Sequence, residues 1–431
     1  MPRVHRTAWF FTLILLLAVA APALADDDHS FYLKAGDRVV FYGDSITDQR
    51  LYTTFVETYV VTRFPKMNVT FIHSGWSGDR VTGGGGGPID TRLKRDVFPY
   101  KPTVVTVMLG MNDGGVRPYE TKAFETYAKG LEHLVESVKE NVPDVRMTLI
   151  RPSPYDDVTR EPKFEGGYNA VLVRYGDFVK KLANKYKLDV ADLNRPVVEA
   201  TKKAFASDPE DAEKLNFDRV HPGPGGQLLM AAALLKDWHA PALVSRTEVK
   251  ITGDVIVVGG SQTNFEESSL HDGLLSWSQR DESLPFPINL KDKMVDLAVK
   301  SSTVVPDLDD QPLKVLGLAD GDYVLKIDGA SVGAFSAARF EKGINLATLP
   351  TPMARQAADV HQLTLAHNDL HWTRWRQFQV PLEKAEGATR EKLDAALKAL
   401  DGRENQLIRI QRALAQPVMH RFEVVRKRAT E

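Results

Sequence analysis

Two kinds of hydrophobic spacing alternate along the first half of the chain, from Arg38 to about Trp238. Short, nearly continuous apolar runs are typical of buried parallel strands, and apolar residues three and four positions apart are typical of helices. The spacing predicts strands at 39–42, 69–72, 103–109, 146–150 and 188–190, and helices at 51–64, 119–141, 168–186 and 225–238. Such alternation predicts an α/β fold in which helices cover both faces of a parallel sheet.

The spacing changes after Pro241. Period-two alternation at 323–327 and apolar runs near 249–258, with turns at Gly253-Asp254 and Asp328-Gly329, predict a β-rich domain over 245–340. Between its strands we expect a loop-rich insertion, from about 261 to 312. Helical spacing returns at 352–367 and 389–415, which predicts a helical C-terminal region over 341–431, with a break or kink at Gly402.

Four short motifs lie beside predicted strands or helices in the first half of the chain. Each one alone has an ordinary structural explanation, such as a helix cap, a turn or a surface ion pair. All four in this order indicate a catalytic site rather than four coincidences. The motifs are Gly43-Asp44-Ser45-Ile46, Gly75-Trp76-Ser77-Gly78, Gly110-Met111-Asn112-Asp113 and Asp218-Arg219-Val220-His221.

The residue types in these motifs are those that nucleophilic catalysis by serine requires. A serine hydroxyl needs a base within hydrogen-bond reach, and the base needs a partner that orients it. Ser45 follows the first strand, and the carboxyl ends of strands are where open α/β sheets form sites. We therefore predict Ser45 as nucleophile, His221 as base and Asp218 as the residue that orients His221.

The four motifs, over about residues 36–240, resemble the SGNH branch of the GDSL esterases and lipases. This resemblance implies a flavodoxin-like three-layer α/β/α sandwich, with a catalytic domain over 29–240 that cleaves esters through an acyl-enzyme and needs no cofactor or metal. It also implies three oxyanion donors, which are the backbone N–H groups of Ser45 and Gly78 and the side-chain amide of Asn112. One departure is His73, where many relatives carry Asn.

The N-terminus has the layout of a secretory signal peptide. A basic start is followed by an apolar stretch from Trp9 to about Ala21 and by Ala23-Leu24-Ala25 as a cleavage pattern. The apolar stretch is shorter than the ~20 residues that a membrane-spanning helix needs. We expect residues 1–25 to be removed, the mature protein to be exported to the periplasm or the cell exterior, and no membrane span to remain.

The composition of the chain excludes some kinds of chemistry and some kinds of partner. The chain of 431 residues contains no cysteine, which excludes disulfides and thiolate catalysis. Its net charge of −2 gives no general attraction to nucleic acid. His367 and His371 have the i, i+4 spacing of helical metal ligands, but no acidic helper motif accompanies them, and we expect no metal.

These observations predict an exported serine carboxylester hydrolase acting on a small-molecule or polymer-linked ester. A carbohydrate O-deacetylase is favoured because an added β-rich domain suits an extracellular polymer. A lipase, lysophospholipase or thioesterase, an acyltransferase, and a non-catalytic binding protein on the same scaffold remain alternatives. The sequence leaves the acyl group and the oligomeric state open.

Two further segments have alternative interpretations. The glycine run Gly83–Gly87 is either a plain flexible loop or a rim of the substrate cleft. The aromatic and basic cluster formed by Trp372, Arg374, Trp375 and Arg376 either lines a sugar site or, as we expect, packs against the catalytic domain.

Overall fold

A parallel five-stranded sheet organises the first half of the chain. The computed structural model describes residues 30–271 and 273–427, so the predicted signal peptide lies outside the described residues. The strands are, in spatial order, Thr70–Gly75, Arg38–Gly43, Val104–Met108, Arg146–Ile150 and Asp189–Ala191. The strand Arg38–Gly43 pairs in parallel with both Thr70–Gly75 and Val104–Met108. The first three motifs therefore follow three adjacent strands, at one edge of the sheet.

Helices cover this sheet and complete the predicted three-layer α/β/α fold. Residues 51–63 pack with 224–237, and residues 121–141 pack with 167–186. The helices are Ser45–Asp48, Leu51–Arg63, Ile89–Asp96, Thr121–Asn141, Gly167–Tyr186, Arg195–Ser207, Pro209–Ala212 and Pro224–Asp237, with 3₁₀ turns at Phe98–Tyr100 and Glu213–Leu215. The long predicted elements are present, with ends displaced by a few residues at most.

Two further sheets follow. One is antiparallel, with the spatial order Thr263–His271, Leu274–Asp281, His420–Arg426, Asp322–Ile327 and Ala330–Ser336. The other has the order Ile344–Asn345, Pro312–Leu316, Arg246–Thr252 and Val255–Ser261. Side chains from both sheets share one core, which includes Trp277, Leu313 and Leu325.

The expectation of a loop-rich insertion over 261–312 is wrong. This segment contains the strands Thr263–His271 and Leu274–Asp281 and the helices Lys293–Lys300 and Val304–Leu308. The first of these strands is largely exposed and rich in serine and glutamate, so its sequence carries little apolar alternation. Pairing with its neighbour, rather than its own pattern, makes it a strand.

The C-terminal region consists mainly of helices, as expected. Its helical elements are Ala337–Lys342, the 3₁₀ turn Leu346–Thr348, Pro352–Thr373, a π-helical segment Arg374–Gln379, Val380–Leu382 and Gly387–Leu414. The sequence predicts a break or kink at Gly402, and the break is wrong, because the last of these helices runs through that residue. One glycine in a helix costs only ~1 kcal/mol relative to alanine, and packing against residues 352–373 offsets it.

The chain then returns to the β region, where His420–Arg426 lies between two other strands of the antiparallel sheet. The described residues from Phe31 onward form one compact unit. The boundaries drawn from the sequence, 29–240, 245–340 and 341–431, stay predictions. None of the described helices combines the length and the apolar character needed to cross a membrane.

Candidate active site

Ser45 stands at the turn between the strand Arg38–Gly43 and the short helix that it begins. Asp44 caps this helix, since its Oδ1 accepts a hydrogen bond of 3.0 Å from the backbone N of Ile46. A Cβ on Gly43 would stand 2.2 Å from Thr47 Oγ1, so only glycine allows so close a turn. Ser45 N–H, in the first helical turn, has no acceptor within the helix.

His221 lies between Ser45 and Asp218. Its Nε2 is 2.8 Å from Ser45 Oγ, and its Nδ1 is 2.6 Å from Asp218 Oδ2. The two ring nitrogens therefore face the two partners that the sequence assigned to them. A neutral imidazole with the proton on Nδ1 donates to the carboxylate and presents Nε2 to the serine hydroxyl.

The loop that carries His221 fixes the Asp218 carboxylate. Its Oδ1 accepts hydrogen bonds from the backbone N of Val220 at 2.9 Å and of His221 at 2.7 Å. Arg219, which directly follows Asp218, has a φ of 74°, and its carbonyl accepts from Asn216 Nδ2 at 3.0 Å. Burial alone would raise the pKa of Asp218, but hydrogen bonds from the side chain and backbone of His221 outweigh it and hold that pKa below its usual value. The carboxylate is thus ionised at neutral pH.

The other two predicted oxyanion donors lie after the strands on either side. Gly78 has a φ of 79°, and a Cβ added there would meet nothing within 4 Å, so the space beside its Cα is open. Asn112 Nδ2 donates to the Asp79 carbonyl at 3.0 Å. An amide carries two N–H bonds, so this contact orients the group and leaves the second hydrogen for another acceptor.

Two buried carboxyl groups lie beside the site. Burial raises the pKa of Asp44 to about 7 and that of Asp113 to about 6, and the Asp113 charge further raises that of Asp44. Asp113 Oδ1 accepts from the backbone N of Val81 at 3.0 Å, which holds the loop after Gly78. These two groups support the motif backbones and do not contact Ser45 Oγ in the described structure.

The raised pKa of Asp44 predicts the behaviour of an Asp44→Asn variant. The folded chain holds this carboxyl protonated up to about pH 7, whereas the unfolded chain ionises near 3.8. Folding is therefore penalised progressively as pH rises through this interval. Asparagine keeps an acceptor for Ile46 N–H but cannot ionise. We therefore expect the unfolding free energy of the variant minus that of wild type to be more than ~1 kcal/mol larger at pH 8 than at pH 5. Urea unfolding at both pH values measures this; an equal effect at both would contradict it.

The three histidines that the sequence analysis discussed apart from His221 contact nearby side chains in the fold. His73 is buried and contacts Thr53 Oγ1 at 2.6 Å and Glu57 Oε2 at 3.2 Å. His367 and His371 contact Glu57 and Glu404 respectively. Within the residues that the structure describes, no group of three or more His, Cys, Asp or Glu is placed to hold a metal ion.

The glycine run forms a two-residue antiparallel ribbon, Gly83–Gly84 with Gly87–Pro88. The Gly86 carbonyl accepts from Arg95 Nη2 at 3.0 Å, and a Cβ on Gly86 would stand 2.6 Å from Trp76. The run is therefore packed against the second motif.

The aromatic and basic cluster packs against the catalytic domain, as expected. Trp375 is buried and donates to Asp96 Oδ1 at 2.6 Å, and Trp372 donates to Asp48 Oδ1 at 3.1 Å. Asp48 is not among the functional residues predicted from the sequence. The available signal was its position, one turn after Ser45 and at the end of the same short helix.

Comparison with known proteins agrees with this geometry. Residues 41–229, which contain all four motifs, match the GDSL-like lipase/acylhydrolase family. An acetylxylan esterase of Geobacillus stearothermophilus is 25% identical over 223 residues, which cover 47% of this chain and 94% of that enzyme. A solved structure of a gut microbial diltiazem-metabolizing enzyme aligns with a TM-score of 0.77 and 25% identity, over 92% of this chain and 98% of that one.

Residues 41–229 thus match the GDSL-like lipase/acylhydrolase family, and the chain is an ester-hydrolysing enzyme. The diltiazem-metabolizing enzyme also aligns with most of the chain beyond residue 229. The added sheets and C-terminal helices are therefore part of an architecture that this chain shares with another enzyme.

Proposed function

We propose that the protein is an exported serine carboxylester hydrolase that removes acetyl groups from carbohydrate. The observation that carries the chemistry is the placement of His221 between Ser45 Oγ, at 2.8 Å, and Asp218 Oδ2, at 2.6 Å. Ser45, His221 and Asp218 act as nucleophile, general base and orienting carboxylate. The backbone N–H groups of Ser45 and Gly78 and the Asn112 amide receive the oxyanion.

The reaction runs in two stages. Ser45 Oγ attacks the acyl carbonyl while His221 Nε2 takes its proton, and the oxyanion donors stabilise the tetrahedral intermediate. The imidazolium then gives the proton to the leaving alcohol, and an acyl-serine remains. Water, activated by the same imidazole, hydrolyses this ester and regenerates Ser45. Asp218 stays ionised throughout, in keeping with its lowered pKa.

Two observations support a carbohydrate as the alcohol part of the substrate. The Geobacillus relative is an acetylxylan esterase. In this chain, Phe217 is 60% exposed and its ring lies 6.5 Å from that of His221, at an interplanar angle of 23°. An exposed aromatic ring beside the base offers a flat apolar surface on which a sugar ring of the leaving alcohol can lie.

A substrate panel tests this proposal. Initial rates are measured on acetylated xylo-oligosaccharides, on p-nitrophenyl acetate, butyrate and decanoate, and on a lysophospholipid, each with the Ser45→Ala variant as background. We expect acetyl esters to exceed decanoyl esters in kcat/KM by ~10-fold or more, because one methylene alone changes discrimination by ~10-fold in a shaped pocket. A preference for long acyl chains would instead identify a lipase. Transfer of acetyl to an added alcohol in preference to water would identify an acyltransferase.

Export is part of the proposal and rests on the sequence of residues 1–25 alone. The full chain is produced in a Gram-negative host, and the mature N-terminus and the cell fraction are determined. We expect the mature chain to begin near Asp26 and to leave the cytoplasm. A cytoplasmic protein that keeps its first 25 residues would contradict export without affecting the proposed chemistry.

A further inference from the structure

The C-terminal region contacts the turn that carries Ser45, residues 43–48 (the nucleophile turn), at one carboxylate, that of Asp48. Its Oδ2 accepts from Ser77 Oγ at 2.8 Å and from the Ser77 backbone N at 3.2 Å. The same oxygen accepts from Arg376 Nη2 at 2.9 Å, and Oδ1 accepts from Trp372 Nε1 at 3.1 Å. Asp48 ends the helix that Ser45 begins, and Ser77 directly precedes Gly78. One carboxylate thus joins the nucleophile turn, the Gly78 loop and the C-terminal region.

Arg376 is held over this carboxylate by aromatic rings. Its guanidinium carbon lies 3.4 Å from the centre of the Trp76 ring and 4.8 Å from that of Trp375. Burial lowers the pKa of Arg376, while the Asp48 charge acts in the opposite direction. A guanidinium between aromatic faces and a carboxylate is confined to one orientation.

A second chain of hydrogen bonds leads from the C-terminal region to Asn112. Trp375 Nε1 donates to Asp96 Oδ1, and Asp96 Oδ2 accepts from Arg92. Arg92 Nε donates to Asp79 Oδ2 at 2.7 Å, and the Asp79 carbonyl accepts from Asn112 Nδ2 at 3.0 Å. Asp79, Arg92 and Asp96 are fully buried. Water cannot easily replace these contacts, so this series of hydrogen bonds holds its side chains in one arrangement.

The two series of hydrogen bonds, one through Asp48 and one through Asp96, begin at the adjacent residues Arg376 and Trp375. The backbone is π-helical there. The π-helical segment Arg374–Gln379 follows the helix Pro352–Thr373 without a break. π-Helical turns are rare and occur mainly at functional sites, because the wider turn changes the direction of the side chains it carries. In this chain, the segment carries both Arg376 and Trp375.

We propose that Arg376 and Trp375 are positioning residues for the reaction, acting through Asp48 and Asp96 to fix the oxyanion donors Gly78 and Asn112. The inference rests on the proposed function, since it assumes those donors. It also gives the C-terminal helices a role in the chemistry of the acyl transfer. Preorganised donors stabilise the transition state more than the bound substrate, so their displacement lowers kcat rather than raising KM.

The first test compares Arg376→Met with Arg376→Lys, using p-nitrophenyl acetate. We expect Arg376→Met to lower kcat by ~10-fold or more and to change KM by less than ~3-fold, since a donor is displaced rather than removed. Lysine restores a cation near Asp48 without the planar fork, so Arg376→Lys should recover part of kcat. Should Arg376→Met fail to fold, Arg376→Lys is judged alone, with a kcat below wild type expected.

The matched control is Arg412→Met. Arg412 also joins a C-terminal helix to the catalytic part, donating to the carbonyls of Met67 and Val69, and it lies on neither route to the oxyanion donors. We expect this variant to lose stability and to keep kcat within ~2-fold of wild type. Equal losses of kcat in Arg376→Met and Arg412→Met would reduce Arg376 to a docking contact and overturn the proposal.

The second test is Trp375→Phe, which keeps a ring but removes the N–H that Asp96 accepts. Its control is Trp277→Phe, which removes an equally buried N–H whose acceptor, Gln279 Oε1, lies in the antiparallel sheet. We expect only Trp375→Phe to lower kcat, by ~3-fold or more.

Wild type and Ser45→Ala are assayed in parallel. Activity without Ser45 would refute the proposed function, whereas Ser45-dependent activity with unchanged kcat in Arg376→Met and Trp375→Phe would refute this inference alone.

Discussion

Replacing Ser45 by alanine is expected to lower kcat on acetyl esters by about 10⁴-fold or more, and His221→Ala by a similar factor. The two side chains act as one unit, since the hydroxyl is nucleophilic only when Nε2, at 2.8 Å, takes its proton. The double variant should therefore be no slower than either single variant by more than ~10-fold. The residual rate of all three would come from the oxyanion donors and from binding.

Steady-state assays on the three variants and on wild type measure this effect. Ser207→Ala and His133→Ala are matched controls, because the Ser207 hydroxyl donates to the Ala204 carbonyl within its own helix and His133 forms an exposed pair with Asp90. Both should retain wild-type kcat. If Ser45→Ala kept more than ~10% of the activity, or if the losses multiplied in the double variant, the nucleophile–base assignment would be wrong.

The catalytic half of the chain could be predicted from sequence because its signals are local. Buried parallel strands such as Val104–Met108 are continuous apolar runs; the first three motifs come at the ends of such runs, and the fourth lies shortly before the helix Pro224–Asp237. Parallel strands end at one edge of a sheet, so the first three motifs could be placed together without knowing the strand order. The contact between His221 and Ser45 additionally required the family resemblance, since these residues are 176 positions apart.

The features that could not be predicted depend on distant contacts. Asp48 and Arg376 are 328 positions apart, and neither is unusual in its local sequence. The strand Thr263–His271 has mostly exposed side chains and is stabilised by its partner strand, so period-two apolar alternation is missing. The last strand, His420–Arg426, follows a long helix and pairs with residues about 100 to 150 positions earlier in the chain, which hydrophobic spacing does not encode.

A buried carboxylate, Glu57, holds the C-terminal helices on the catalytic part. It accepts from His367 Nε2 at 2.6 Å, from Gln411 Nε2 at 3.1 Å and from Asn368 Nδ2 at 3.3 Å, all from those helices, and from His73 Nε2 at 3.2 Å. Burial would raise the pKa of Glu57, but the charge and hydrogen bond of His367 outweigh it and hold that pKa well below its usual value. Burial lowers the pKa of His367, but the charge of Glu57 and its hydrogen bond raise it by more. The pKa of His367 is therefore above its usual value.

Removing the charge at this position is expected to be costly. Glu57→Gln leaves a buried imidazolium without its counter-ion, and breaking a buried ion pair on one side typically costs ~3–5 kcal/mol of unfolding free energy. Urea unfolding at pH 6 measures the loss. Glu132→Gln is the matched control, since Glu132 pairs with the largely exposed Lys185 and such surface pairs contribute ~1 kcal/mol or less. A cost for Glu57→Gln no larger than that of the control would contradict the role assigned to Glu57.

The pH dependence of this loss identifies its cause. The lowered pKa of Glu57 contributes stability above its unfolded value of about 4.5, and this contribution is lost as pH falls toward the folded value. The raised pKa of His367 contributes stability below its unfolded value of about 6.5, and this contribution is lost as pH rises through the folded value. The difference between wild type and Glu57→Gln should therefore be largest between about pH 4.5 and 6.5 and smaller at pH 9. A difference independent of pH would mean that Glu57 stabilises the helices through packing and not through its charge.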